Sequence, residues 1–291
     1  MQGLIGPLKE LAEFEELCKN KKKDAGMIRV CGCVNSQKSH MMYAIGDGCK
    51  YKVIACSSET KAKQIYEEYR FLDNNTYLYP AKDFLFYKAD IRSKELVKQR
   101  MEGIQAVLSG TPGTIVTSLD GFMDHLAPKE SIEEKVLKIQ NDSVLKLDEM
   151  AERLSDVGYD REVQVEGPGQ FAVRGGILDI YPLTEEFPVR IEFWGDEVDS
   201  IRTFDVESQR SIENMTEITI YPAVEFPQGE EKGVSFLDYF SKEDTILFLD
   251  EPVRLVERGQ NIEEEFMEAQ KKRLENGYEL EEEEAKIFPV A

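Results

Sequence analysis

Met27-Ile28-Arg29-Val30-Cys31-Gly32-Cys33-Val34-Asn35-Ser36-Gln37-Lys38-Ser39 carries an apolar run into a glycine-bearing turn and on into a helix-prone stretch. Residues 27–31 read as a buried strand and residues 39–45 as the helix that follows it. The alternation continues downstream: a strand at 52–56, a helix at 59–71, a short strand at 76–79, a helix at 93–108 and a strand at 114–117. Leu96, Val97, Ile104, Val107 and Leu108 recur at helical spacing in the second of these helices. Strand and helix taking turns argue for a parallel α/β sheet.

The turn between the first strand and its helix has its own chemistry. Residues 32–39 match G-x-x-x-x-G-K-[ST] at every fixed position but one. Gln37 stands where a phosphate-cradling loop needs glycine, because the backbone there approaches the phosphates closely and often takes positive φ. Lys38 and Ser39 are the residue types that meet a phosphate and a magnesium ion. Asp250-Glu251, after the apolar run 245–249, resembles the acidic pair that holds such an ion. With Gln37 in place, the set Gly32, Gln37, Lys38, Ser39, Asp250 and Glu251 is expected to be a vestigial nucleotide site holding no ligand.

Past Pro128 the pattern changes. A short amphipathic helix carrying Leu147, Met150, Ala151, Leu154 and Val157 stops at Gly158, a natural C′ residue. Strand-like runs follow at 162–166, 170–174, 176–181, 188–194, 197–204 and 217–221, with Gly195-Asp196 as a two-residue hairpin turn. This reads as an antiparallel α+β unit inserted into the first sheet. Residues 245–249, too uniformly apolar for an exposed edge, resume that sheet. The expected organisation is 1–126 as the first part of the α/β domain and 127–222 as the insertion. Residues 223–291 form the return, with 236–252 rejoining the α/β domain ahead of an acidic helical tail.

Within the hairpins, Val189, Ile191 and Phe193 alternate with Arg190, Glu192 and Trp194, so Arg190 and Trp194 share one face of the strand. Two readings stay open. An outward-facing arginine beside the only tryptophan of the chain has the composition of a binding hot spot. Alternatively, Trp194 covers the end of the hairpin core and Arg190 pairs with Glu192 or Asp196.

The 291 residues, 41% of them hydrophobic, furnish cores for about two domains and exclude a wholly disordered chain. No run approaches the ~18 apolar residues of a membrane span, and no basic-then-apolar leader opens the chain. A cytoplasmic protein without a membrane partner is expected. Cys18, Cys31, Cys33, Cys49 and Cys56 are too few and too crowded for a disulfide framework. With His40 and His125 as the only histidines, a zinc cage has few ligands, and buried reduced thiols are expected instead. Charge divides unevenly: residues 1–126 carry a net +2 and the remainder −23. So acidic a second part repels phosphate backbones and favours either a basic protein partner or a plain solvated face.

Residues 171–182 (FAVRGGILDIYP), 190–197 (RIEFWGDE) and 201–205 (IRTFD) resemble the signature shared by the excision-repair protein UvrB and the transcription-repair coupling factors. Residues 79–83 (YPAKD), 208–210 (SQR), 221–227 (YPAVEFP) and 236–240 (FLDYF) belong to the same pattern, which covers nearly the whole chain. Two departures favour the coupling factors: Gln37 breaks the phosphate loop that UvrB keeps, and residues 82–93 leave no room for the Tyr-rich hairpin of UvrB. The resemblance implies a degenerate RecA-like sheet of the P-loop NTPase type, with an inserted α+β domain that docks UvrA through Arg174, Arg190 and Trp194. It implies a non-catalytic adaptor region that recruits UvrA to RNA polymerase stalled at DNA damage. No cofactor is implied here, since ATP and magnesium belong to the motor portion of a longer parent, an ATP-dependent DNA translocase. The motor and RNA-polymerase-binding portions are implied partners, and RNA polymerase and DNA are reached through the full-length protein. Residues 228–234 are shorter than the helical segment the family carries there. A rival reading is an ATP-hydrolysing helicase-like domain of a UvrB-type repair enzyme, with Lys38, Ser39, Asp250 and Glu251 at the nucleotide. It lacks the facing half that supplies an arginine finger.

Overall fold

The computed structural model describes residues 2–21, 26–82, 94–225 and 233–276. Helices α1 (Gln2–Lys9), α2 (Ala12–Lys21) and α3 (Asn35–Ile45) come first. Then β1 (Tyr51–Cys56), α4 (Glu59–Tyr69), β2 (Thr76–Tyr79), α5 (Lys94–Leu108) and β3 (Gly113–Ser118) alternate. The next elements are α6 (Leu119–Met123), α7 (Lys129–Glu134), β4 (Leu137–Gln140) and α8 (Leu147–Asp156). They lead into β5 (Asp160–Arg161), β6 (Gln170–Arg174), β7 (Ile177–Tyr181), β8 (Val189–Trp194), β9 (Glu197–Phe204), β10 (Ser211–Met215) and β11 (Glu217–Ile220). A 3-10 turn at Phe236–Tyr239 precedes β12 (Thr245–Leu249) and α9 (Pro252–Glu275).

The fold is mixed α/β. A four-stranded parallel sheet has the order β12-β1-β3-β2, a six-stranded sheet the order β10-β9-β8-β7-β6-β5, and β11 pairs with β4 alone. Within the six-stranded sheet every pair is antiparallel except β5 with β6. Both faces of the parallel sheet are covered, which is why its strands read as continuous apolar runs. Val53, Ala55 and Ile115 pack on one side with Met101, Ile104 and Val107 of α5. Ile54, Cys56 and Val116 pack on the other with Ala62, Ile65 and Tyr69 of α4.

The first of these cores runs on without a break into the antiparallel sheet, through Phe122, Leu126 and Ile132 to Phe171, Ile191 and Ile201. Phe236 seals the junction, stacked on Tyr79 at 4.0 Å between ring centroids. Gly158 ends α8 at φ +92°, and a Cβ there would lie 2.5 Å from Val224, so both backbone conformation and space require glycine. No helix among the described residues is long and apolar enough to cross a membrane.

Several expectations need correction. Residues 27–31 form no strand, and Met27, Ile28 and Val30 are exposed; the parallel sheet ends at β12 without them. Thr245–Leu249 does join the parallel sheet beside β1, yet as its edge strand, with Leu247 and Leu249 partly open to solvent. Uniform apolarity therefore did not mean a central position. Residues 162–166 are irregular; the strand there is only Asp160–Arg161, and Val163 points into solvent. β4 and β10 arise where none was expected, and β11 leaves the hairpin sheet to pair with β4. The thiols are free, but only Cys56 is buried, where desolvation pushes it up to about 12; Cys31 is exposed. The short segments expected at 82–93 and 228–234 lie almost wholly outside the described residues.

Candidate functional site

Three clusters bear on function, and the phosphate-loop segment comes first. Gln37 sits in the first turn of α3, where its Oε1 accepts a hydrogen bond from the Val34 backbone N–H at 3.2 Å and ties off the helix start. Lys38 Nζ donates to Asp250 Oδ1 at 2.8 Å and to Glu251 Oε1 at 3.2 Å. Its bond to Asp250 raises the ammonium above its ordinary value, and its bond to Glu251 holds that carboxyl down. Ser39, buried, donates its hydroxyl to Glu68 Oε2 at 2.7 Å.

The structure thus brings Lys38, Asp250 and Glu251 together, as a closed clasp. The residue types of a nucleotide site are present, but the amine and hydroxyl that would face phosphate and magnesium are engaged by carboxylates of the chain, and the glycine position is filled by a capping side chain. Among the described residues, no cluster of three His, Cys, Asp or Glu side chains is placed to hold a metal ion.

The second cluster lies on the six-stranded sheet. Asp179 is at the centre of β7, 1% exposed, in register with Arg190 of β8. Arg190 Nε donates to Asp179 Oδ1 at 2.7 Å and Nη2 to Oδ2 at 2.9 Å; Arg174 Nη2, from the end of β6, reaches the same Oδ2 at 2.5 Å. The hydrogen bond to Asp179 also raises Arg190 above its ordinary value. Arg190 further donates to Gln209 Oε1 at 2.8 Å and lies over the Phe204 ring at 4.4 Å.

Neither Glu192 nor Asp196 holds Arg190. Glu192 pairs with Arg202 across β8 and β9, and accepts from Ser200 as well. Trp194 covers no core: it is 83% exposed at the end of β8, next to the turn in which Gly195 takes φ +66°. Four residues along a strand put it about 13 Å beyond Arg190. Arg174 and Arg190 therefore share one carboxylate, while Trp194 stands apart on the hairpin tip. Sequence reading missed Asp179 and Gln209. The available signal was an acidic residue inside the apolar run Ile177-Leu178-Asp179-Ile180.

The third cluster was also missed. Arg100 is fully buried on α5. Its guanidinium donates to both carboxylate oxygens of Glu225, to Asp124 Oδ2 at 2.8 Å, to the Pro80 carbonyl at 2.5 Å and to the Tyr79 hydroxyl at 2.5 Å. Lys82 Nζ adds a second cation 2.6 Å from Glu225. Burial opposes the charge on Glu225, but Arg100 and Lys82 outweigh it and hold the carboxyl at about 2. For Asp124 burial prevails over the pull of Arg100 and raises it. The cluster ties the segment leaving the antiparallel sheet to the end of β2. Its sequence signal was an arginine inside the apolar stripe of α5, between Val97 and Ile104.

Residues 137–226 match the UvrB interaction domain family. The chain is 38% identical over 169 residues to the transcription-repair-coupling factor of Bacillus subtilis (strain 168), covering 57% of this chain and 14% of that protein. It is 33% identical over 159 residues to the transcription-repair-coupling factor of Haemophilus influenzae, covering 55% and 14%. The corresponding protein of Staphylococcus aureus (strain USA300) is 35% identical over 163 residues, covering 56% and 14%. The match therefore spans about a seventh of the length of these curated relatives. All three arginine and tryptophan positions of the second cluster, and Asp179 with them, fall inside the matched domain.

Proposed function

We propose, for a chain that carries a UvrB interaction domain and is related to the transcription-repair coupling factors, that it is a non-catalytic adaptor region whose antiparallel sheet docks UvrA. The observation that carries this is a tryptophan 83% exposed on a hairpin tip, on the same sheet as two arginines gathered on one buried carboxylate. An exposed aromatic on the same sheet as prearranged guanidinium donors supplies the residue types of an interface hot spot. Arg174, Arg190 and Arg202 give this face guanidinium donors, which suit a partner presenting carboxylate or carbonyl groups.

The parallel sheet with helices on both faces supports reading residues 1–126 and the returning strand as a degenerate RecA-like domain, 127–222 as the docking insertion, and 223–291 as that return with its acidic tail. The clasp of Lys38 by Asp250 and Glu251 supports an architecture kept without nucleotide chemistry, and disfavours the ATP-hydrolysing alternative. In the full-length parent, a cytoplasmic DNA translocase, this region delivers UvrA to RNA polymerase stalled at damage. The motor and polymerase-binding portions act on DNA from elsewhere in the chain.

Titration of purified UvrA against the 291-residue chain tests the reading. Saturable binding that Arg174→Ala, Arg190→Ala and Trp194→Ala each weaken measurably, beyond any change in the fraction folded, is the expected result. Binding that all three substitutions leave intact would refute the assigned face. Saturable, magnesium-dependent ATP binding abolished by Lys38→Ala would restore the enzymatic alternative.

A further inference from the structure

Asp179 occupies a position where a carboxylate is expensive. It is flanked by Leu178 and Ile180 in the middle strands of a sheet whose other face is core, and its side chain is 1% exposed. A buried ion cluster of this kind is commonly matched or bettered in stability by apolar side chains of similar volume. Stability alone therefore does not account for it. What the carboxylate supplies is geometry, since its two oxygens take three N–H donors from two arginines on two different strands.

Gln209 completes the arrangement. It sits at φ +57° in a turn held by Asp205, whose Oδ1 accepts from the Ser208 N–H at 2.8 Å and the Ser208 hydroxyl at 2.6 Å. Gln209 Nε2 donates to the Val206 carbonyl at 2.8 Å, which leaves Oε1 as the atom that accepts from Arg190 Nη2. The neighbouring Arg202, directly opposite Arg190 in the sheet, has its own carboxylate in Glu192 and does not compete for Asp179. Arg190 Nη1 and Arg174 Nε and Nη1 stay outside all of these bonds.

Resting on the docking reading above, we infer that Asp179, backed by Gln209, is a positioning residue of the docking face. It fixes the two guanidinium planes before the partner arrives, so that their remaining N–H edges meet a carboxylate or a carbonyl of UvrA without the entropy loss of ordering two free arginines. Arginine is rich in rotamers, and immobilising it is a recurrent cost of association that a preset fork avoids. Asp179 touches no partner atom in this arrangement. Its effect on affinity passes through Arg174 and Arg190.

A double-mutant cycle tests this with the whole chain and purified UvrA. Asp179→Asn keeps the shape and one acceptor oxygen but loses the charge that gathers the arginines, and it is expected to weaken binding about tenfold. On an Arg174→Ala, Arg190→Ala background the same substitution is expected to cost less than about twofold, with affinities compared only at a temperature where melts show every variant fully folded, since loss of the ion cluster from either side is non-additive in stability too. Gln209→Ala, which leaves the buried ion pair untouched, is expected to cost about threefold, and nothing once Arg190 is alanine. Wild-type affinity in Asp179→Asn overturns the inference, as does an undiminished loss on the double-alanine background. If Asp179→Asn does not fold, Gln209→Ala decides in the same way: no loss, or an equal loss without Arg190, overturns it. Should Arg174→Ala, Arg190→Ala and Trp194→Ala all bind normally, the docking reading falls and takes this assignment with it.

Discussion

Replacing Arg100 with methionine removes the nearest cation to Asp124 and one of the two cations paired with Glu225. Both carboxylates are at most 5% exposed; Lys82 stays paired with Glu225 through its ammonium and reaches Asp124 with its backbone N–H at 3.2 Å. Breaking a buried pair from one side costs about 3–5 kcal/mol, because a desolvated charge is left behind. Here Asp124 loses its ion pair, Glu225 keeps only Lys82, and the Pro80 carbonyl loses a donor too, so the upper end, about 5 kcal/mol at neutral pH, is expected. At roughly 2–4 °C per kcal/mol for a chain of this size, the melting temperature should fall by at least about 10 °C.

The pH dependence separates this account from loss of packing. In the parent, the depressed Glu225 contributes stability that is present above its ordinary value near 4.5 and is lost as pH falls towards about 2. Without Arg100, burial raises both carboxyls, and a raised acid contributes stability that is lost as pH rises. Thermal melts followed by circular dichroism at pH 8 and pH 5 should therefore show the variant recovering on acidification relative to the parent. Adding Glu225→Gln to Arg100→Met should restore part of the loss at pH 8. A variant that melts within about 2 °C of the parent, or with the same pH slope, would refute the electrostatic role.

Trp194→Ala should leave the melting temperature almost unchanged, within about 0.5 kcal/mol in stability, while weakening UvrA binding by about thirtyfold, ~2 kcal/mol; isothermal titration and melts on one preparation check both. Early melting with normal affinity would remove Trp194 from the interface. Gln37→Gly should cost about 1 kcal/mol of stability through loss of the bond to Val34 and greater backbone freedom, and an ATP titration should still show at most weak binding, since Lys38 remains held by two acids. In acid titrations of the parent, the fall in stability between about pH 4.5 and 2 should flatten in Glu225→Gln, and an unchanged profile would contradict the assignment of that titration to Glu225.

The local parts of the fold were legible because their causes are local. Apolar runs at 51–56 and 113–118 become strands because helices cover both faces, and Gly195-Asp196 makes a hairpin turn because glycine tolerates the φ +66° it adopts. What was not legible is which neighbour each run would meet. Residues 27–31 and 245–249 look alike as sequence, yet one lies unpaired and the other pairs with β1, a choice made by packing far along the chain. The candidate site divides in the same way. Trp194 and Arg190 were visible from alternation, and Lys38 from spacing, whereas Asp179, Gln209 and Arg100 owe their roles to partners on other strands or more than a hundred residues away.

The separation of Arg100 from its partners becomes an interval of time during synthesis. Asp124 follows Arg100 by 24 positions, but Glu225 follows by 125. At 5–20 residues per second, Glu225 leaves the ribosome roughly 6–25 s after Arg100. Within that interval the hairpins β6 to β9, each closed by a short connection, have time to form many times over, since hairpin formation takes about 1–10 μs. The parallel sheet is still waiting for β12, another twenty residues behind Glu225. The nascent chain thus has its antiparallel hairpins in hand while the parallel sheet beside them is unfinished, and the guanidinium stays in water until the carboxylate that lets it desolvate has been made.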